Sequence, residues 1–282
     1  MMKIQQKLAI AYFRSQIHLL SIFSKKRAAR QAFRLFSTPM MKSSYKGKQL
    51  PAHAERLAFP LDGNTICGFR FNHPKQKKVL LLHGFSSCAY NFFKYVEPLE
   101  HKGYEVLAFD APAHGESGGK TVNAVEYGAM IKQVIQLYGP VDAFICHSFG
   151  GIAISLLLEQ MPQDAKTKLV LIAPATETVT AVDGAFRMLG IRSKRIRQEF
   201  DHIIYEKSGR ETAWFSIRRA MRNIQASVLR IHDEDDDITP LEDALLVKAD
   251  NHHNIRFIIT KGLGHRKIYR SDDVIDKIVK FL

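Results

Sequence analysis

The chain has 282 residues, of which 46% are hydrophobic and 24% charged, with a formal net charge of +13. That is enough apolar chain for one full-sized core with extensions, and it excludes a low-complexity or repeat polymer. Three cysteines (Cys67, Cys88 and Cys146) are odd in number and lack CxxC spacing, which excludes a disulfide framework or a cysteine zinc site and fits a reducing compartment.

The charge lies first in the chain. Residues 1–58 carry twelve Lys/Arg against one acid, Glu55, whereas the remaining 29 Lys/Arg face 27 acids. The basic balance therefore belongs to an N-terminal extension, drawn at residues 1–50, and the rest is a near-neutral domain, drawn at 51–282. No nucleic-acid motif accompanies the charge, so nucleic acid is not an expected partner. The run "KLAIAYFRSQIHLLSIFSKKRAARQAFRLFSTP" mixes apolar and basic residues with helical character. Its longest uncharged stretch, residues 15–24, is ten residues long, against the ~20 that a membrane-crossing helix needs. Arg14 interrupts any signal-peptide core, so neither a span nor a signal peptide is expected, and the expected location is cytoplasmic.

Two readings of residues 1–36 stand open. In one, the helix lies on an anionic membrane as a peripheral contact, with Leu19, Leu20, Ile22, Phe23, Phe33 and Phe36 toward lipid and Lys25, Lys26, Arg27, Arg30 and Arg34 toward headgroups. In the other, it docks on its own domain with its charges solvated, the commoner use of an amphipathic helix.

From residue 51 onward, β-like runs alternate with helical patterns. "ERLAFPLD" and "TICGFRFN", joined around Gly63-Asn64, predict an antiparallel hairpin. Buried-strand runs follow: "KKVLLLHGF", "YEVLAFDAP", "VDAFICHS", "KLVLIAPA", "ASVLRIHD" and "IRFIITKG". Between or after most of them come helical segments such as "NAVEYGAMIKQVIQLYG" and the closing "SDDVIDKIVKFL". Unbroken Val/Ile/Leu runs alternating with helices predict strands covered on both faces, so the fold class is α/β with a mainly parallel, doubly wound sheet. Residues 176–225 break the rhythm with two or three helical patterns and no strand, which predicts a small helical lid inserted after the fourth of those strands.

The seam "FICHSFGGIAIS" sets Ser148 at the end of an apolar strand run and directly before a helical one. Reactive groups gather at the carboxyl ends of parallel strands. A sharp strand–turn–helix exposes the hydroxyl and requires small neighbours, which Gly150 satisfies and Cys146 tolerates. A nucleophilic hydroxyl also needs a base, an orienting acid and donors for an oxyanion. "TKGLGHRKIYR" supplies His265 after the last strand, "IHDEDDDITP" supplies acids after a later one, and "LLHGF" supplies a loop whose Phe85 amide can face Ser148. The order serine, acid, histidine fits this strand arrangement. "DEDDD" fails the calcium-loop template, which wants glycine where Ile238 stands and glutamate where Ala244 stands, so it reads as a solvated acidic turn. No metal or cofactor is expected.

From about residue 51 to 282 the chain resembles the α/β-hydrolases, on "HGF", "DAPAHGES", "HSFGG", "HDEDDDITP" and "GLGH" in that order. The likeness is greatest to lysophospholipase- and esterase-like members with a short helical lid. It implies Ser148 as nucleophile, His265 as general base and the Phe85 and Phe149 backbone amides as oxyanion donors. The family pattern H-G-x-x-D-x-x-V-P lies over residues 232–240, with Asp233 in place of glycine and Thr239 in place of valine, and it puts the acid at Asp236. His83, Gly84, His147 and Gly150 are expected to line or support the site, with His83 propping the oxyanion loop and His114 as structural support. The expected activity is hydrolysis of a small-molecule carboxylic ester, apolar or lipid-like, through an acyl-enzyme. Acyl transfer, thioester hydrolysis or lyase chemistry on the same residues, and a non-catalytic binding role, are the alternatives.

Overall fold

The computed structural model describes residues 4–40 and 42–282; residues 1–3 of the expected extension, and Met41 within it, lie outside the described residues. Two helices come first, α1 (Ile4–Phe23) and α2 (Lys25–Ser37). They break at Ser24, whose extended backbone and side chain cap α2 by accepting from the Arg27 amide. The hairpin β1 (Glu55–Leu61) and β2 (Asn64–Phe71) follows, then β3 (Lys77–Leu82), α3 (Val96–His101), β4 (Tyr104–Phe109), α4 (Ala124–Tyr138), β5 (Ala143–His147) and α5 (Phe149–Leu158). After β6 (Lys168–Ile172) come the inserted helices α6 (Thr178–Leu189) and α7 (Lys194–Ser208), and a short α8 (Ile217–Ala220). The chain closes with β7 (Ser227–Asp233), α9 (Leu241–Ala249), β8 (Ile255–Thr260), α10 (Gly264–Lys267) and α11 (Asp272–Phe281).

The eight strands form one sheet in the order β1-β2-β4-β3-β5-β6-β7-β8. β1 and β2 pair antiparallel, β2 meets β4 antiparallel, and the pairings from β4 to β8 are parallel. The strand order reverses at β3, with β4 on one side and β5 on the other, and that reversal opens a crevice at the carboxyl ends of β3 and β5. Along the central strands Val79, Leu81, Val106, Ala108, Ile145 and Val170 share one core cluster with Phe92, Leu99, Val274 and Ile278. The alternate residues Leu80, Leu82, Leu107, Phe109, Phe144 and Cys146 are buried as well. Both faces are therefore covered, which is why these strands read as unbroken apolar runs.

The chain divides into two compact units: the described part of Met1–Thr38 with Glu177–Ser216, and Pro39–Thr176 with Ile217–Leu282. The boundaries thus fall at Thr38 rather than residue 50, and at 177–216 rather than 176–225. Side-chain anchors account for both differences. Tyr45 is only 2% exposed and its hydroxyl donates to Asp110 Oδ2 at 2.8 Å, while the Ser43 amide donates to the Ser86 carbonyl. Residues just after Pro39 are therefore tied to loops at the strand ends. On the far side Ile217 and Ala220 are buried, and Arg219 pairs with Glu159.

In the helical unit, α2 docks on α7. Phe33 and Phe36 both pack against Phe200, with ring centroids 5.6 and 5.7 Å apart, and Phe200 meets Phe186 at 5.2 Å. Such aromatic pairs contribute about 0.5–1.5 kcal/mol each beyond the area they bury. Arg14 of α1 donates to the carbonyls of Leu189 and Met188 at 3.2 and 3.1 Å. No helix among the described residues is long and apolar enough to cross a membrane.

Candidate active site

β5 ends at His147 and α5 begins at Phe149, so the chain must turn within Ser148 alone. It does so at φ 52°, ψ −115°, a conformation that costs a non-glycine residue about 1–3 kcal/mol. The surroundings hold it there. The Ser148 amide donates to the Ile172 carbonyl at 3.1 Å, and its own carbonyl accepts from the amides of Gly151 and Ala175. Space explains the glycines nearby: a Cβ at Gly150 would lie 2.6 Å from the Leu82 carbonyl oxygen, and one at Gly84 would lie 2.9 Å from Ser148 Cβ. Cys146 is fully buried in β5, and burial pushes its thiol well above the usual cysteine range. It packs as a small hydrophobe.

His265 reaches Ser148 from the turn after β8. Its Nε2 is 3.0 Å from Ser148 Oγ, and its Nδ1 is 2.8 Å from Asp236 Oδ2. A carboxylate can only accept, so Nδ1 carries the proton and Nε2 is left free to take one from the serine hydroxyl. Asp236 is held by more than His265. Its Oδ1 accepts from the amides of Ile238 and Thr239, and its Oδ2 from the Thr239 hydroxyl at 2.8 Å. Burial raises the Asp236 pKa, but the bond to His265 and these amides outweigh it, and the carboxyl is lowered to about 2. It is therefore a carboxylate at neutral pH.

The two departures from the family pattern both have work at this place. Thr239, where the resemblance expects valine, supplies a hydroxyl to Asp236 that valine would lack. Asp233, where it expects glycine, is fully buried, which corrects the expectation of a solvated acidic turn. Its Oδ1 accepts from the amides of Asp235 and Gly264, and its Oδ2 from the Thr260 hydroxyl and the Leu263 amide. Gly264 immediately precedes His265, so Asp233 fixes the turn that aims the imidazole. Burial pulls the Asp233 carboxyl upward, and its four donors bring it below the usual carboxylate range. Neither role is visible from residue type; the signal was that these positions break the pattern.

Four histidines besides His265 shape the site. His147 Nε2 lies 2.9 Å from the His265 carbonyl, which only an N–H can satisfy, and its ring packs on His265 and Tyr269 with centroids 4.6 and 4.3 Å apart. Burial drives its pKa well down, so it is a neutral donor that pins the His265 backbone. His83 Nδ1 donates to the Gly84 carbonyl while its Nε2 accepts from the Ala111 amide. His114 Nε2 accepts from the Ser86 amide at 2.9 Å and its Nδ1 donates to Pro112. Burial lowers His83 to about 4 and His114 to about 3, so both stay neutral and keep their acceptor nitrogens at pH 7. His232 Nε2 donates to the Thr239 carbonyl, bracing the segment that holds Asp236.

The loop fixed by His83 and His114 carries Phe85. Its amide has no acceptor among the described residues. Phe149 heads α5, so its amide is one of the donors that a helix start leaves without an intrahelical partner. The half-buried Phe85 and Phe149 rings meet edge-on at 5.5 Å. All nine site residues expected from the sequence thus come together at the ends of β3, β5, β7 and β8. The arrangement can do one thing readily: pass a proton from a serine hydroxyl to a fixed imidazole.

The alpha/beta hydrolase family model matches residues 79–275. A protein of Mycoplasma pneumoniae named as an esterase/lipase is 31% identical over 144 residues, covering 48% of this chain and 53% of that one. The chain spans about half the length of the curated relatives it matches. An esterase of Pyrococcus furiosus superposes with a TM-score of 0.60 at 19% identity, over 81% of this chain and 90% of that one. A monoacylglycerol lipase of Paleococcus ferrophilus gives 0.58 at 22%, over 81% and 97%. The chain belongs to the alpha/beta hydrolase family.

Proposed function

We propose that the protein is a serine hydrolase that cleaves carboxylic esters with an apolar acyl group through an acyl-enzyme. The observation that carries this reading is the unbroken line of hydrogen bonds from Asp236 through His265 to Ser148. As Ser148 Oγ attacks the ester carbonyl, its proton passes to His265 Nε2, and Asp236 stabilises the imidazolium. The carbonyl oxygen becomes an oxyanion facing the Phe85 and Phe149 amides; losing one such donor typically costs about 2.7–4 kcal/mol. Collapse breaks the bond to the alcohol, which leaves with the proton from His265. Water then attacks the acyl-serine, gives its proton to His265, and releases the carboxylic acid as the proton returns to Ser148.

The Phe85 and Phe149 rings beside Ser148 and the esterase and lipase names of the relatives support an apolar acyl group. A series of p-nitrophenyl esters from acetate to long acyl chains, with a p-nitroanilide control, tests the reading. The expected result is hydrolysis with kcat/KM rising at least about tenfold from acetate to a mid-length chain, and negligible anilide cleavage, because a pocket prefers each added methylene. Absence of ester turnover at every length, or faster cleavage of the anilide, would refute it.

A further inference from the structure

One face of α1 is turned to water although it is apolar. Leu8, Tyr12, Leu19, Ile22 and Phe23 are between 58 and 76% exposed. At the helical period they fall on a single stripe, with Ala11 and Ser15 between them and no charged side chain. The opposite face is occupied: Ile17 is 2% exposed, and Arg14 donates to the Leu189 and Met188 carbonyls of the same unit. Phe33 and Phe36 of α2 are turned onto Phe200. The phenylalanines of α2 are therefore used inside the protein, while the stripe on α1 faces water apart from the contact of Tyr12 with its neighbour Phe13.

Charge decides what could cover the stripe. The helical unit, Met1–Thr38 with Glu177–Ser216, has fifteen Lys/Arg against six Asp/Glu. Exposed Lys25, Lys26, Arg27, Arg30 and Arg34 follow directly on the end of the stripe at Phe23. A second copy of the chain would bring like charge against like, and a nucleic acid would leave the apolar stripe in water. An apolar stripe bordered by cations fits a surface that is greasy below and anionic above. We infer that the α1 stripe Leu8–Tyr12–Leu19–Ile22–Phe23 docks in the plane of an anionic phospholipid bilayer, with the basic side chains of α2 at the headgroups. This replaces the sequence-based face, from which the partly buried Leu20 and the docked Phe33 and Phe36 drop out and to which Leu8 and Tyr12 are added. Docking within the protein and contact with lipid then use different faces, and both hold at once.

The test is sedimentation of the full chain with vesicles, which reads binding without any chemistry. The protein should bind phosphatidylglycerol–phosphatidylcholine vesicles, bind pure phosphatidylcholine far less, and lose binding as salt rises. The double variant Ile22→Ser, Phe23→Ser should lower partitioning by about tenfold or more with an unchanged melting temperature, because both side chains are already in water. The variant Arg27→Gln, Arg30→Gln should weaken binding to anionic vesicles alone. Equal binding to neutral vesicles, or binding that survives Ile22→Ser, Phe23→Ser, would overturn the inference. So would a wild-type protein that ignores vesicles and elutes as a dimer that the double variant converts to monomer.

Discussion

Ser148→Ala is expected to lower kcat on a soluble p-nitrophenyl ester by about 10⁶ while leaving the fold in place. The reason is that the hydroxyl is the only thing removed. Ser148 holds its place by backbone bonds to Ile172, Gly151 and Ala175, which alanine keeps, and its strained φ is met equally by either residue. Its Oγ is engaged with His265, whose orientation is set independently by Asp236, by His147 and by the turn fixed on Asp233. Thermal unfolding should therefore move little while turnover collapses. Cys146 offers no bypass, since its thiol is buried, held protonated and two residues back inside β5. Steady-state kinetics beside a melting curve checks both halves of the expectation.

Asp236→Asn is expected to cost about 10⁴ in kcat, and the geometry says why. The amides of Ile238 and Thr239 both donate to Oδ1, so an asparagine would keep its carbonyl oxygen there. Its NH2 group would then occupy the Oδ2 position and point a donor at His265 Nδ1. That nitrogen would have to become an acceptor, which puts the imidazole proton on Nε2 and blocks removal of the serine proton. The neighbouring acids rank below it. Asp233→Asn leaves two donors facing an NH2 group, which should destabilise the fold by about 1–3 kcal/mol and, by loosening the turn before His265, lower kcat by about 10- to 100-fold. Asp235 is exposed and accepts one bond, from the Gly262 amide, so Asp235→Asn should stay within about 0.5 kcal/mol of wild type. Kinetics and urea unfolding of the three variants give the order Asp236, Asp233, Asp235; any other leader in kcat would mean the acid is misassigned.

Much of this was legible from residue order. The strands announce themselves because a parallel sheet covered on both faces leaves no room for polar alternation, and Val79 to Leu82 is buried throughout. Ser148, Asp236 and His265 stand out because each follows such a run at its carboxyl end. Long-range closure was not legible. Nothing local says that Tyr45 reaches Asp110, so residue order alone does not show that the second compact unit begins at Pro39. Nor does the sequence state that Phe33 and Phe36 meet Phe200, since an amphipathic helix carries no address for the face it buries. In residue order Asp233 reads as one more solvated carboxylate in an acidic run; its burial depends on a turn thirty residues away folding back over it.

Covalent capture identifies a serine nucleophile without relying on turnover. A fluorophosphonate transfers its phosphonyl group to an activated serine oxygen with loss of fluoride, and the modified peptide is found by digestion and mass spectrometry. A single adduct is expected at Ser148, formed much more slowly in Asp236→Asn and absent in Ser148→Ala. An adduct at Cys146, or labelling that persists in Ser148→Ala, would contradict it.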